Sequence, residues 1–353
     1  MSTQAWVEQW ERVPGYLDAP TMGLPPRTVV AAMRRHLEDW QAGRCDAAGF
    51  DEDVRRSRSA FATLVGVTPD DVAIGAQVSQ LVGLAAASVP DGARIVVPSA
   101  EFASVSFPFL VHADRGVDVV QVPLEALPDA LDESVHTVAF SVAQSADGRV
   151  ADVDAILDAA TRSGTRTVAD LTQAAGWMPL EASRFDITVT GAYKWLCAPR
   201  GSAFLTARPA AKEQMRPLYP NWYASADIWG SIYADELALA PEVRRFDTSP
   251  AWPVWVGTAP ALELLADLHR GDPERADAVA AYGIDLANRV RTALGLEQEP
   301  RPVLSLPDRG GALKAALTEA GCRVAGRGSG VRFGFHLWNT ADDVARVVHA
   351  LAR

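Results

Sequence analysis

The region from residue 72 to residue 206 alternates short β-rich runs with helical segments, and this alternation limits the fold more than any other feature. Such a pattern is typical of a mostly parallel sheet with right-handed crossovers. We therefore predict an α/β protein with a seven-stranded sheet flanked by helices. The strand-like runs are Val72–Ile74, Arg94–Val97, Val117–Val122, Thr137–Ser141, Thr167–Ala169, Ile187–Thr190 and Ala203–Thr206, and the helical segments are Ser79–Ser88, Ala103–His112 and Val153–Arg162.

The flanking regions predict further helices and a second, smaller α/β unit at the C-terminus. Residues 16–245 are expected to form a large domain, and residues 1–15 with 246–353 a small one. Predicted helices cover residues 4–13, a segment from about Pro25, Phe50–Val65, a segment from Val254, Pro273–Leu294, Gly311–Ala320 and a segment from Ala341; predicted strands are Pro302–Leu306, Arg323–Ala325 and Val331–Phe335.

Composition excludes several classes of partner. The chain has 353 residues and a net charge of −11, which argues against nucleic acid or an anionic membrane as the main partner. The three cysteines form no C-x-x-C pair and the six histidines show no metal-ligand spacing, so we predict no metal site and a reducing, cytoplasmic location. The first residues carry no apolar segment typical of a signal peptide.

Candidate functional residues follow the predicted strands. Gly75, Asp170 and Lys194 each come just after a strand-like run, where ligands bind in parallel sheets. Lys194 stands between Tyr193 and Trp195, and an amine in such an apolar loop is poorly solvated, more often neutral and more nucleophilic. The alternative is a surface lysine whose stem lies on the aromatic rings.

The segment TVADLTQ, with Asp170 and Gln173, lies shortly before Lys194, and this arrangement resembles the class V aminotransferase superfamily of fold type I. That superfamily uses pyridoxal 5'-phosphate. The resemblance implies that Lys194 is the Schiff-base lysine, that Asp170 pairs with the pyridinium nitrogen, and that Gln173 bonds the phenolic oxygen of the ring. The matching features extend over roughly residues 16–350.

The resemblance implies further cofactor contacts. In the run IGAQVSQ, Gln77 and Val78 occupy the positions of the family's phosphate-binding turn, where amides and a helix start bind anions. Tyr193 is a second phosphate candidate. Phe102 matches the aromatic residue that stacks on the pyridine ring. Thr248, or Ser249, corresponds to a loop that reaches the cofactor phosphate of the neighbouring subunit.

On the substrate side, Arg332 matches the family's arginine for the substrate α-carboxylate, a role that suits a planar guanidinium. Gln144 or Ser145 is expected to contact the cofactor's phenolic oxygen or the substrate. His336 shares a strand face with Arg332 and either lines the pocket or serves a structural role.

The reaction is less constrained than the cofactor. Desulfurases need a mobile nucleophilic cysteine; Cys322 lies ten residues before Arg332, but its context predicts packing. The predicted reaction is C–S β-elimination from a cysteine-derived substrate, as in ergothioneine-pathway lyases. The alternative is an aminotransferase, or an epimerase, acting on an amino acid or amino sugar.

The assembly is predicted to be a homodimer with shared active sites. Such an arrangement is implied by the family resemblance, and an aromatic-rich segment supplies a candidate interface. That segment contains Trp222, Trp229, Trp252 and Trp255 together with Tyr219, Tyr223 and Tyr233.

Overall fold

The computed structural model describes residues 3–269 and 273–352. Its helices are α1 (Thr3–Val7), α2 (Arg27–Gln41), α3 (Phe50–Val65), α4 (Val78–Ala87), α5 (Ala103–Leu110), α6 (Val153–Ser163), α7 (Pro209–Gln214), α8 (Trp252–His269), α9 (Pro273–Ala293), α10 (Ala312–Glu319) and α11 (Ala341–Leu351). Its strands are β1 (Val72–Gly75), β2 (Arg94–Pro98), β3 (Asp118–Val122), β4 (Val135–Ser141), β5 (Arg166–Asp170), β6 (Ile187–Gly191), β7 (Ala203–Ala207), β8 (Val303–Pro307), β9 (Ala325–Arg327) and β10 (Gly330–Gly334).

The main sheet has seven strands in the order β1-β7-β6-β5-β4-β2-β3, and the α/β fold class is confirmed. The β2–β3, β2–β4, β4–β5 and β5–β6 pairs are parallel, whereas β7 runs antiparallel to β1 and β6. Every residue of β1, β6 and β7 is buried, because helices cover both faces of a sheet of this kind. The carboxyl ends of β5 and β6 consequently meet at one edge, where Asp170 and the lysine loop follow.

A second sheet of three antiparallel strands has the order β8-β10-β9. Its apolar core includes Phe333, Phe335, Leu286 and Val347, contributed by the sheet, α9 and α11. Helix α8 instead packs on α2 and α3, and the ring of its Trp255 lies 5.6 Å from that of Phe204 in the main sheet. The domain division near residue 246 stays a prediction.

Two local predictions were wrong. The predicted helix over residues 4–13 ends at Val7, since the chain turns so that the indole of the buried Trp10 donates to the carbonyl of Leu24 at 2.9 Å. The strand predicted at Arg323–Ala325 begins two residues later, because Arg323 pairs with Tyr16 outside the sheet. No helix within residues 3–269 and 273–352 is long and apolar enough to cross a bilayer.

Candidate active site

The lysine loop, residues 191–202, connects β6 to β7 and is held closely by its neighbours. Gly23 donates its N–H to the carbonyl of Tyr193 at 2.9 Å, and a Cβ on Gly23 would lie 2.0 Å from the Lys194 carbonyl oxygen. On another side, Gly176 has φ +107°, and a Cβ there would lie 2.5 Å from the Trp195 carbonyl oxygen. These two positions require glycine because any side chain would displace the loop.

Lys194 is 5% exposed and lines the same cavity as Asp170. Its Nζ lies 5.0 Å from the centre of the Phe102 ring and 5.7 Å from that of Tyr193. Burial lowers the pKa of Lys194 to about 8, although the charge of Asp170 opposes the shift. The alternative of a surface lysine is therefore wrong, and a substantial fraction of this amine is neutral near physiological pH.

Asp170 ends β5 and is 3% exposed. Its carboxylate accepts the backbone N–H of Thr172 at 2.8 Å. Burial raises the pKa of Asp170 to about 6, against the lowering effect of the Thr172 hydrogen bonds and the Lys194 charge. A buried carboxylate without a bonded cation favours a positively charged partner in the cavity.

Gln173 has a fixed amide orientation. The Trp195 indole N–H donates to its Oε1 at 2.8 Å, so its Nε2 faces the carbonyl of Pro20 at 2.9 Å and the hydroxyl of Ser145 at 3.2 Å. Gln173 lines the cavity. One of its two N–H groups is bonded to Pro20, and the other is directed to the Ser145 hydroxyl in the cavity wall, where an acceptor such as a phenolic oxygen could replace that hydroxyl.

His336 has a structural role, one of the two alternatives left open by the sequence. Its Nδ1 accepts the Leu337 N–H at 2.7 Å, which leaves Nε2 as the donor to the Trp195 carbonyl at 2.9 Å. The ring stacks between Trp195 and Trp338, at 5.4 and 4.3 Å between centres. Burial lowers the pKa of His336 to about 4, so the ring is neutral and holds the lysine loop by one hydrogen bond.

The predicted phosphate turn joins β1 to α4. Gln77 and Val78 line the cavity, and no side chain caps the first turn of α4. Uncapped amides at a helix N-terminus form an anion-binding site. Tyr193 lines the same cavity, and so does Arg200, whose guanidinium lies 5.2 Å from the centre of the Tyr193 ring.

A buried ion pair fixes the strand before this turn. The carboxylate of Asp247 accepts the Ile74 N–H at 2.8 Å and the Arg58 guanidinium at 2.6 Å. Thr248 donates its N–H to the Ile74 carbonyl at 3.3 Å. Residues 247–248 thus take the place of a neighbouring strand along the edge of β1. Thr248 is half-buried and Ser249 is exposed; neither lines the cavity of its own chain.

Phe102 lies at the cavity mouth, 41% exposed, as a stacking residue requires. Glu101 anchors it, because its carboxylate accepts the Ser141 N–H at 2.8 Å and the Ser141 hydroxyl at 2.6 Å. Gln144 and Ser145, in the loop after β4, were alternative predictions for a contact with the cofactor or the substrate. Of these two residues, Ser145 lines the cavity. Gln144 directs its amide to Glu101 at 3.1 Å and to the Ser141 carbonyl at 3.0 Å.

Arg332 is 1% exposed and lies just behind the cavity wall. Its guanidinium donates to the carbonyl of Ser145 and to the hydroxyl of Thr21, the latter at 3.1 Å. Its buried Nε has no hydrogen-bond partner in the part of the chain that the structure describes. Burial lowers the pKa of Arg332 to about 10, so the side chain stays charged at neutral pH. A buried cation with unused donor capacity suits an anionic ligand.

Sequence reasoning missed several residues of the site. Arg200, Thr21 and Glu101 belong to none of the motifs that predicted the site. The proximity of Arg200 to Lys194 along the chain was the available signal, whereas Thr21 is brought in from the N-terminal segment by the fold. Other residues of the cavity wall that were not predicted are Ala76, Ser104, Ser141, Thr172, Gly191 and Ser202.

The cysteines are separate from this cavity. Cys322 is buried in the small C-terminal core, which confirms its predicted packing role. Cys197 is 1% exposed, and burial raises the pKa of its thiol. Cys45 is exposed, with Sγ 3.8 Å from Nδ1 of His36 between α2 and α3. Within the described residues, no cluster of three or more His, Cys, Asp or Glu side chains suits a metal ion.

Comparison with known proteins decides the family. The family model described as aminotransferase class-V matches residues 15–295. The chain belongs to this family. As a member of it, the protein is a pyridoxal 5'-phosphate-dependent enzyme, and the predicted cofactor is confirmed.

Relatives with several different activities resemble the chain. The uncharacterized aminotransferase YcbU of Bacillus subtilis (strain 168) is 28% identical over 318 residues, which are 85% of this chain and 84% of that protein. Isopenicillin N epimerase of Amycolatopsis lactamdurans is 26% identical over 341 residues, 84% of this chain and 83% of the relative.

Solved structures confirm the predicted fold type I. The cysteine desulfurase CsdA of Escherichia coli superposes with a TM-score of 0.84 at 19% identity, over 100% of this chain and 98% of that one. The cystine C-S lyase C-DES superposes with a TM-score of 0.85 at 18% identity, over 96% and 97%. Identities this low show the shared fold alone.

The side chains fit the cofactor. The protonated nitrogen of a flat ring would compensate the charge of the buried Asp170 carboxylate. Phe102 has an exposed aromatic ring at the cavity mouth on which such a ring can stack. The uncapped start of α4 and Arg200 provide positive charge for a phosphate. Lys194 places a buried amine in the same cavity, and the attachment of the cofactor to this amine stays a prediction.

Proposed function

We propose that this enzyme catalyses C–S β-elimination on a cysteine-derived amino acid. The observation that carries the proposal is a buried lysine of lowered pKa in the cavity of Asp170, without a cysteine in the cavity wall. When bound, the cofactor supplies an electron sink for the electrons released at the substrate α-carbon. Elimination then needs only a base and a leaving group on the β-carbon.

Each residue has a role that follows from its surroundings. Asp170 keeps the ring nitrogen protonated through its opposite charge, and Gln173 donates to the phenolic oxygen. Phe102 holds the ring by stacking. Gln77, Val78, Tyr193 and Arg200 hold the phosphate.

On the substrate, Arg332 binds the α-carboxylate and thereby directs the α-proton toward Lys194. The Nζ of Lys194 accepts that proton as general base; the lowered pKa of its amine suits this role. The protonated amine of Lys194 can give this proton to the sulfur as the bond from the β-carbon to sulfur breaks, which completes the thiol. Water hydrolyses the remaining three-carbon fragment to pyruvate and ammonia.

The placement of the cysteines favours elimination over desulfuration. A desulfurase needs a cysteine that can reach the substrate sulfur, and Cys322 and Cys197 are both buried in apolar cores. Cys45 is exposed but lies between α2 and α3, outside the cavity wall. A β-elimination releases the thiol directly and needs no such residue.

Transamination is the second candidate, with epimerisation as its variant, on an amino acid or amino sugar. It is favoured by the 28% identity to an uncharacterized aminotransferase and by the likeness to isopenicillin N epimerase. In transamination the same base, Lys194, would return the proton to a carbon of the cofactor. In epimerisation the proton would return to the opposite face of the substrate α-carbon.

Products distinguish these candidates. The purified enzyme is incubated with a series of S-substituted L-cysteines, with and without a keto-acid acceptor. Pyruvate, ammonia and one free thiol in equal amounts, independent of acceptor, support elimination. A keto acid that retains the sulfur substituent and forms only with acceptor would show transamination instead. Racemised substrate would show epimerisation.

We also infer a cytoplasmic homodimer in which Thr248 and Ser249 approach the partner's phosphate site. Support comes from apolar side chains exposed in the single chain: Phe107, Val111, Tyr219, Trp229 and Tyr233. Part of the predicted aromatic interface is core, since Tyr223 and Trp255 are buried. A mixture of Lys194→Ala with a Thr248→Ala, Ser249→Ala variant should regain activity after subunit exchange; no recovery would place this loop outside a shared site.

A further inference from the structure

Arg327 and Arg332 project from one face of the small sheet. In the antiparallel pair of β9 and β10, Arg332 lies opposite Ala325, and Gly330 lies opposite Arg327. Residues two apart on a strand share a face, so Arg327 is on the same face as Ala325 and therefore as Arg332. Diagonal neighbours of this kind are within reach of long side chains.

The two guanidinium groups converge on one hydroxyl beside the lysine loop. Arg327 and Arg332 each donate to Thr21 Oγ1, both at 3.1 Å. Thr21 lies between Pro20, whose carbonyl accepts from Gln173, and Gly23, whose N–H bonds the lysine loop. The pair of cations thus borders the active-site cavity.

Neither guanidinium has a carboxylate within ion-pair distance among the described residues. Two other arginines of the same region, Arg291 and Arg301, do contact a carboxylate, that of Glu299, at 3.1 Å for Arg291. Like charges repel, so two unpaired cations held at one hydroxyl favour anions from outside the chain. Burial is the main cause of the lowered pKa of Lys194, and the charges of Arg332 and Arg327 lower it further, which places both in electrostatic reach of the site.

Arg332 and Arg327 differ in solvent exposure, and we therefore expect them to bind different carboxylates of the substrate. Arg332 is buried behind Ser145, whereas Arg327 is exposed. We propose that the enzyme acts on amino acids that carry a second carboxylate on the sulfur substituent, with Arg332 on the α-carboxylate and Arg327 on the distal one. This inference rests on the proposed elimination, because that reaction makes the sulfur substituent the leaving group. The negative charge of that substituent is inferred from the position of Arg327.

A matched pair of substrates tests the subsite. S-(2-carboxyethyl)-L-cysteine and its amide, S-(3-amino-3-oxopropyl)-L-cysteine, have the same shape and differ in the distal charge. For the holoenzyme we expect kcat/KM to be roughly fivefold higher for the acid, because an exposed guanidinium–carboxylate contact contributes about 1 kcal/mol. The preference should shrink as salt is added, since exposed charges are screened.

Variants assign the preference to one residue. Arg327→Gln should abolish the discrimination by lowering kcat/KM for the acid alone. Arg309→Gln removes the same charge from an exposed position of the same region and should change neither value. Equal kcat/KM for acid and amide in the wild type, or an equal loss of both in Arg327→Gln, would overturn the proposal.

A binding measurement separates this inference from the proposed function. The absorbance change of the bound cofactor on titration with each compound gives a Kd that does not depend on product formation. Tighter binding of the acid without any pyruvate would refute elimination and support the subsite. Pyruvate from both compounds with equal Kd values would support elimination and refute the subsite.

Discussion

The floor of the cavity and its arginine side are built in opposite ways. On the floor, Asp170 and Gln173 are buried and bonded to their neighbours, and Lys194 lies against two aromatic rings. On the arginine side, neither Arg332 nor Arg327 forms an ion pair within residues 3–269 and 273–352, although the charge of Asp18 acts on Arg332, and the Nε of Arg332 has no acceptor among these residues. The floor is therefore preorganised by bonds within the chain, whereas the arginine side retains positive charge for an anionic ligand.

This difference separates the residues expected to bind the cofactor from those expected to bind the substrate. A resident cofactor has a constant shape, so its contacts can be fixed by short, locally encoded segments. A substrate differs from one relative to the next, and its contacts come from distant parts of the sequence. Changes on the floor should therefore affect every substrate alike, and so should a change at Arg332 if it binds the common α-carboxylate, whereas a change at Arg327 should distinguish among substrates.

The largest effect is expected from Asp170→Asn. The amide keeps an acceptor for the Thr172 N–H but loses the charge that keeps the ring nitrogen protonated. We expect kcat to fall about a thousandfold or more for all substrates. Steady-state kinetics measures kcat for this variant and for a control, Asp158→Asn, in which the same change is made at an exposed position of α6. A rate within about threefold of wild type would mean that Asp170 does not face the ring nitrogen.

The same substitution should stabilise the apoenzyme. Because the folded-state pKa of Asp170 is raised to about 6 from 3.8, its charge opposes folding above pH 6 and has no effect below the unfolded value. The free energy of unfolding of apo Asp170→Asn should exceed that of wild type by up to about 3 kcal/mol at pH 7.

Urea unfolding of both apoproteins as a function of pH measures this gain. The difference should vanish as the pH falls from 6 through 4. A gain that persists at pH 3 would show that the ionisation of Asp170 is not its cause, and a loss of stability at pH 7 would show that the carboxylate is satisfied without the cofactor.

Arg332→Lys should act on the substrate side. A lysine cannot form the two parallel hydrogen bonds of a guanidinium with a carboxylate, so we expect kcat/KM to fall roughly fiftyfold, mainly through KM. The absorbance spectrum of the bound cofactor without substrate should be unchanged. An altered spectrum with an unchanged KM would assign Arg332 to the cofactor and remove the contrast between the two sides.

The smallest effect is expected at the buried ion pair beneath the phosphate turn. Asp247→Asn keeps an acceptor for the Ile74 N–H but leaves Arg58 without its counter-charge. We expect the cofactor Kd to rise roughly tenfold, with little change in KM once the enzyme is saturated with cofactor. Glu263→Gln is the matched control. It breaks a half-exposed ion pair between Glu263 on α8 and Arg56, which lies on α3 as Arg58 does. Equal effects of the two substitutions would argue against positioning by Asp247.

The contrast between the two sides also explains what the sequence could predict. The parallel sheet follows from hydrophobic periodicity. The phosphate turn and the Asp170–Gln173–Lys194 set are implied by the family resemblance, which rests on short segments that come after predicted strands. Thr21 and Arg327 lie more than 300 residues apart in sequence and meet only through the fold. The orientation of the Gln173 amide depends on Trp195, and the neutral state of His336 depends on burial between two indoles, neither of which a linear pattern encodes.

Attachment of the cofactor to Lys194 is the central claim, and borohydride reduction tests it most directly. The chain has three lysines, Lys194, Lys212 and Lys314, so peptide mapping after reduction gives an unambiguous assignment. The account predicts a yellow enzyme whose reduced cofactor is found on the peptide with Lys194 and on no peptide of Lys194→Ala. Reduced cofactor on Lys212 or Lys314, or its retention in Lys194→Ala, would contradict it.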